Sequence, residues 1–334
     1  MNKQTYFLTI AVAVFAFSIS AHVAKSQENA AVSTVEVHVV ITDAALRDDA
    51  ELPPLRKEDV KVRQGRNPLQ VTQLIPAQGD NAALQLMILI DDTLNTSIGN
   101  NLNDLRDFVR AQPASTVVGI GYMANAGVNI VQNFTADKDL AVRAIRLPRG
   151  NTSTMDSPYL SLISLVRGWP QQKVRRVVLM VSDGIDRLRG ERPQSSRLGP
   201  NFGPTFHSMP TISTDATSAS EISQRYNVLV FSIYAVGVGR AGRSSWDLQI
   251  GQSGLTKIAA ETGAEHFSLG TSQLVSFKPH LERFERMLNN QYYLVFRATP
   301  ARRAGLQRIR IETELPNSEI LAPDNVWVPA AGAE

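Results

Sequence analysis

Residues 86–90, Leu-Met-Ile-Leu-Ile, form an apolar run of strand length that stops at Asp91, and the spacing of apolar residues then changes. A strand with no polar side chain to give to water needs cover on both faces, as in a parallel sheet flanked by helices. Ile98, Leu102, Leu105, Phe108 and Val109 follow at helical spacing and Pro113 ends them, which predicts the first covering helix. The succession recurs. Strands are expected over 116–123, 176–182, 228–236 and 264–269, and helices over 159–167, 218–226 and 255–261. A last helix opens at Pro279 and presents Leu281, Phe284 and Leu288 on one face. Asn125-Ala126-Gly127 has turn chemistry and joins 116–123 to 128–134 as a hairpin at a sheet edge. Leu140, Ile145 and Leu147 mark a short helix ending at Pro148. Residues 243–254 carry two glycines and no helical apolar stripe, and 187–213, rich in Arg, Ser, Pro and Gly, is expected to be irregular. The sum is an α/β fold over 83–290, a doubly wound, mostly parallel sheet with helices on both faces.

On either side the period returns to two. Residues 35–41, 59–63 and 69–75 alternate before this region, and 292–297, 306–312 and 326–328 after it. An N-terminal β segment (27–80) and a C-terminal one (291–334) are therefore expected to pack as a small β-sandwich built from both ends of the chain.

Lys3, the apolar stretch 7–17 and the small residues around Lys25 predict a secretory signal over 1–26. The stretch is short against the roughly 20 residues of a membrane span. An uncleaved N-terminal anchor is the alternative. The mature chain is expected in the periplasm or outside the cell, with no membrane span. Without any cysteine, neither disulfides nor thiolate metal sites enter. Lys and Arg (34) outnumber Asp and Glu (31) by only 3, too little to imply nucleic acid or an anionic membrane as partner.

Parallel sheets bind ligands outside the carboxyl ends of their strands. Asp91, Thr93 and Asn95 lie after the first such strand, Gly150-Asn151-Thr152 lies in a loop, and Asp183 follows the strand 176–182. Carboxylate, hydroxyl and amide oxygens suit Mg2+, and also Mn2+ or Ca2+; the lack of Cys and of clustered His argues against zinc. Asp92 reads as solvated, the alternative being a hydrogen-bond acceptor behind the metal ligands; Arg175-Arg176 and Arg302-Arg303 read as solvated, and His38, His266 and His280 as surface residues. Gly237-x-Gly239-x-x-Gly242 follows a late strand and opens no helical pattern, so a dinucleotide fingerprint is discounted. Neither His-Glu-x-x-His nor a Gly-x-Ser-x-Gly elbow occurs, and no enzyme activity is expected.

With these residues in place, the chain resembles the von Willebrand factor A domain family, whose metal-ion-dependent adhesion site is written Asp-x-Ser-x-Ser, then Thr, then Asp. Asp91 and Thr93 match the first two positions, and Asn95 stands where Ser is expected. Thr152 fits the distant Thr in Gly150-Asn151-Thr152-Ser153-Thr154-Met155-Asp156, and Asp183 in Val-Ser-Asp-Gly matches the last acid. The flanking β segments, Phe134-Thr135-Ala136-Asp137, Ala260-Glu261-Thr262-Gly263 and 290–294 are similar to exported A-domain-related proteins frequent in Acidobacteria. The resemblance implies adhesion rather than catalysis: Mg2+ held by Asp91, Thr93, Asn95, Thr152 and Asp183, its shell completed by an Asp or Glu carboxylate of a protein partner. The alternative is a metal-independent structural or assembly module with a degenerate site, and Asn95 is the residue on which the two diverge.

Overall fold

The computed structural model describes residues 34–46, 52–170, 172–188, 212–238 and 245–331. The signal segment, most of 187–213 and most of the glycine motif at 237–242 lie outside them. In chain order, β1 (Val35–Ala45), β2 (Val60–Gln64) and β3 (Asn67–Pro76) lead into β4 (Leu84–Asp91), α1 (Gly99–Ala111), β5 (Thr116–Ala124) and β6 (Gly127–Thr135). Then come α2 (Lys138–Ala144), α3 (Pro158–Gly168), β7 (Arg175–Ser182), α4 (Thr214–Arg225), β8 (Val228–Tyr234), α5 (Ser245–Glu261), β9 (His266–Phe267) and α6 (Lys278–Asn289). The strands β10 (Gln291–Ala298), β11 (Gly305–Thr313), β12 (Ser318–Leu321) and β13 (Asn325–Val328) follow.

Six strands form the expected sheet in the order β6-β5-β4-β7-β8-β9, all parallel except β6, which pairs antiparallel with β5 at the edge. The hairpin turn between those two holds Asn125 and Ala126 at φ 49° and 57°, the left-handed pair that matches strand twist. Side chains of β4 alternate between two cores. Leu86, Ile88 and Ile90 pack with α1, α2 and α6, and Met87 and Leu89 pack with α3, α4 and α5, so helices cover both faces. From β4 the chain builds outward to β5 and β6, then crosses back to β7 on the other side. The strand order thus reverses at β4, and the crevice of a doubly wound sheet opens there, at the carboxyl ends of β4 and β7.

The other seven strands make one antiparallel sheet in the order β12-β1-β10-β3-β2-β11-β13. Val37, Val39 and Ile41 of β1 share a buried cluster with Val326 and Val328 of β13 from the far end of that order. The sheet is therefore curled, and its two arms supply the two layers expected of a sandwich. Both ends of the sequence contribute to it, with β1 paired along β10 from Val35 opposite Ala298 to Thr42 opposite Gln291.

Several expectations need correction. Helix α5 begins at Ser245 rather than 255, because Gly251 and Gly254, read as breakers, are contact points: a Cβ would lie 2.4 Å from the Asp183 carbonyl oxygen and 2.0 Å from Tyr159 Oη, respectively. In and after α2 the inner residues are Ala141, Val142 and Ile145, while Leu140 and Leu147 are exposed. Arg175 and Arg176 are buried, not solvated. Arg175 donates to the carbonyls of Leu288 (2.7 Å) and Ala82 (2.8 Å) and to Gln291 Oε1 (2.9 Å), and so ties β7 to the junction of α6 and β10. Arg176 donates to the Tyr226 carbonyl. The short strand β12 is not visible in the sequence pattern. Among the described residues no helix is long and apolar enough to cross a membrane.

Candidate functional site

Parallel pairing sets Ile90 opposite Val181, so Asp91 and Ser182 leave their strands side by side, with Asp183 next. All three are buried. Asp91 Oδ1 accepts from the Thr93 amide (2.9 Å) and from Thr93 Oγ1 (2.7 Å), and its Oδ2 accepts from Ser182 Oγ (2.8 Å). Ser182 Oγ in turn accepts from the Gly184 amide (3.0 Å). Asp183 Oδ1 accepts from the Ile185 amide (3.0 Å), and its Oδ2 from Arg187 Nη2 (3.0 Å).

The structure thus brings together Asp91, Thr93 and Asp183 and adds Ser182 and Arg187, which sequence reasoning missed. Ser182 was findable as the last residue of a strand predicted to lie beside the one ending in Asp91. Asn95 and Thr152 are used differently. The Asn95 amide oxygen accepts from the Ser97 amide (2.9 Å) and caps the 3-10 turn Thr96–Ile98. Thr152 is exposed, and among the described residues no hydrogen bond joins it to the group. Its loop is pinned at both ends instead. The Gly150 amide donates to the Asp92 carbonyl (3.0 Å), and Asp156 accepts at its carboxylate from the amides of Asn125 (2.8 Å) and Ser153 (2.5 Å).

Asp92, expected in solvent, is buried. It receives both ends of the Arg146 guanidinium (2.7 and 2.9 Å) and the Arg149 amide (2.8 Å). His266 is likewise no surface residue. Its Nδ1 is 2.8 Å from Ser232 Oγ, and burial pushes its pKa down to about 4. Ser232 is itself buried, so this Ser-His pair is closed to a substrate.

Burial, and then the Asp183 charge, push the Asp91 carboxyl up to about 6, against the opposing pull of Arg187 and of the Thr93 hydrogen bonds. A folded-state pKa above the unfolded value gives stability that is complete below about 4 and is lost as pH rises through about 6. Asp91→Asn, which keeps the shape and discards the charge, is therefore expected to gain on the wild type by on the order of 2 kcal/mol more at pH 7.5 than at pH 4. Urea unfolding of both proteins at the two pH values measures this; equal differences at both would contradict it.

Whether these residues fit the divalent ion implied by the resemblance is decided by the donor set. Asn95 spends its amide oxygen on the cap of the turn that follows, Thr152 makes no hydrogen bond to the group among the described residues, and the oxygens of Asp91 and Asp183 accept hydrogen bonds from within the chain. A cation already sits at the site, the Arg187 guanidinium on Asp183. With the guanidinium in place, the arrangement does not fit the ion.

No protein-family model matches the chain, and no curated protein matches it in sequence. Among solved structures it is similar to an aerotolerance-related membrane protein from Bacteroides fragilis (13% identity, TM-score 0.41, covering 62% of this chain and 99% of that one). It is also similar to the minor pilin PilB from Streptococcus sanguinis (16% identity, TM-score 0.38, 62% and 61%). A von Willebrand factor type A protein from Catenulispora acidiphila overlaps more of the chain (9% identity, TM-score 0.40, 92% and 76%). With scores below 0.5, these overlaps leave the strand topology as the ground for the fold.

Proposed function

We propose that this chain is an exported protein-binding module of the von Willebrand factor A type, acting by docking rather than catalysis, and that its partner protein sits on the loops at the carboxyl edge of the parallel sheet. The observation that carries this reading is where large apolar side chains stay exposed. Leu147 and Met155 flank the loop pinned to Asp92 and Asn125, and Trp246 (54% exposed) opens α5 ahead of its contact with Asp183. Leu269 and Val275 (94% exposed) lie between β9 and α6, in a segment tied to the same edge by the Val236 amide donating to Gln273 Oε1 (2.9 Å). Of the ten large apolar side chains exposed among the described residues, these five lie on the loops and helix start named above, and Trp and Met among them suit a docking surface. Export is supported by Lys3 and the apolar stretch 7–17.

The reading takes the metal-independent form, because the hydrogen bonds of Asp91, Thr93 and Asp183 are made within the chain. Immobilised wild type and a Met155→Ser/Trp246→Ser/Val275→Ser variant are compared for capture of envelope proteins from the source organism, with and without chelator. The expected result is a partner retained in chelator and lost at least tenfold on the variant, whose melting temperature stays close to the wild type. Capture abolished by chelator but indifferent to the three substitutions would overturn the reading in favour of an ion-completed adhesion site.

A further inference from the structure

We propose that Arg187 is a built-in cation for the Asp91 and Asp183 carboxylates, occupying the role that the resemblance assigns to a divalent ion, and that it latches residues 184–188 onto the site. The pair it makes with Asp183 is dry: the two side chains are 11% and 1% exposed, with Nη2 3.0 Å from Oδ2. Asp91 belongs to the same buried group, its Oδ2 accepting from Oγ of Ser182, the residue before Asp183 (2.8 Å).

The backbone aims the guanidinium. The Arg187 and Leu188 amides both donate to the Asp156 carbonyl (2.8 and 3.0 Å), so the root of the side chain is fixed to the loop that also holds Asn125. Space is kept for the pair on the opposite side by Gly237. A Cβ there would lie 2.0 Å from Asp183 Oδ2 and 3.3 Å from Arg187 Nη2, so any side chain would displace one partner or the other.

Charge makes the two occupants exclusive. With Arg187 in place, one guanidinium is paired with Asp183 in the buried group that also holds the Asp91 carboxylate. Adding a divalent ion would set three positive charges against two negative ones in a site with little water to screen them, and the cations would repel each other at close range. An ion could enter only where the guanidinium left, and leaving would break the Asp183 contact. The further consequence is an order of dependence. The site needs no metal to be folded, and it gains a response to metal only when the arginine is removed.

The test uses the purified full chain and the metal alone, so it stands independently of the docking surface. Wild type, Arg187→Ala, Arg187→Gln and Arg187→Lys are stripped with chelator and melted with and without millimolar Mg2+ or Mn2+, and Mn2+ binding is followed by titration calorimetry. The wild type and the lysine variant are expected to give no binding heat and no shift beyond about 1 °C. The alanine and glutamine variants are expected to melt several degrees lower without metal, and to recover part of that loss in Mn2+ with measurable binding. Should the alanine variant not fold, the glutamine variant, of similar length and neutral, carries the same reading. A wild type that binds Mn2+ and melts several degrees higher in it overturns the inference. So does a folded glutamine variant that melts with the wild type or ignores Mn2+.

Discussion

Alanine in place of Gly184 is expected to lower stability by about 3–5 kcal/mol, enough to leave much of a marginally stable chain unfolded. Gly184 holds φ at +71°, and its absent Cβ would lie 2.2 Å from the Gly251 carbonyl oxygen and 2.7 Å from the Gly251 carbonyl carbon. The left-handed backbone costs a non-glycine residue about 1–2 kcal/mol. The clash adds to this and is with backbone, which cannot swing aside. Tyr159, whose hydroxyl donates to the Gly184 carbonyl at 2.5 Å, buttresses the same turn. Relief would require α5 to move off the turn that carries Asp183. Gly251→Ala meets the same surface from the other side, 2.4 Å from the Asp183 carbonyl oxygen, and is expected to cost less because φ strain is absent. Urea unfolding measures both, and a Gly184→Ala protein within 1 kcal/mol of the wild type would show that α5 does not press on the turn.

Asp92→Ala is expected to cost about 3 kcal/mol, at the lower end of what breaking a buried ion pair costs because Arg146 still reaches water. The deletion strands the Arg146 fork and the Arg149 amide, and frees a guanidinium that now lies 3.8 Å from the centre of the Tyr122 ring. Tyr122 depends on the same residue, its hydroxyl donating to the Arg146 carbonyl (2.8 Å) and accepting from the Arg146 amide (2.7 Å). Burial alone would raise the pKa of Asp92, but the hydrogen bonds from Arg146 and Arg149 outweigh it and hold the carboxyl below its usual range. A depressed carboxyl gives stability that is present above its unfolded pKa of about 3.9 and fades as pH falls below that. The loss in Asp92→Ala should therefore shrink in acid. A double-mutant cycle with Arg146→Ala isolates the pair, and a coupling near zero would refute the assignment.

The parts of the fold readable from sequence were those whose burial is done by side chains. The run ending at Asp91, the stripe from Leu102 to Val109 and the turn at Asn125 each state their partner in the spacing of apolar residues or in turn chemistry, and each forms as expected. Where burial is done by the absence of a side chain, or by a charge meeting backbone carbonyls, spacing carries no sign of it. That is why the first half of α5, packed through Gly251 and Gly254, read as irregular, and why Arg175 read as solvated. The site divides the same way. Asp91 and Asp183 are fixed by the strands they end, whereas the partners of Arg187 and Asp92 depend on loops that only the folded chain brings together.

The pairing of β1 with β10 also orders events in time. Thr42 and Gln291 are 249 residues apart, whereas β4 to β9 lie in one continuous stretch of chain. Contacts so distant close late, since the loop entropy must be met before they stabilise anything. A chain made from its N-terminus onward can complete the parallel sheet while β1 still lacks β10. Until the last strands arrive, Val37, Val39 and Ile41 lack Leu294, Phe296, Val326 and Val328 from their cluster. The antiparallel sheet is thus the natural checkpoint of synthesis, in that a polypeptide cut short anywhere before β10 cannot close it.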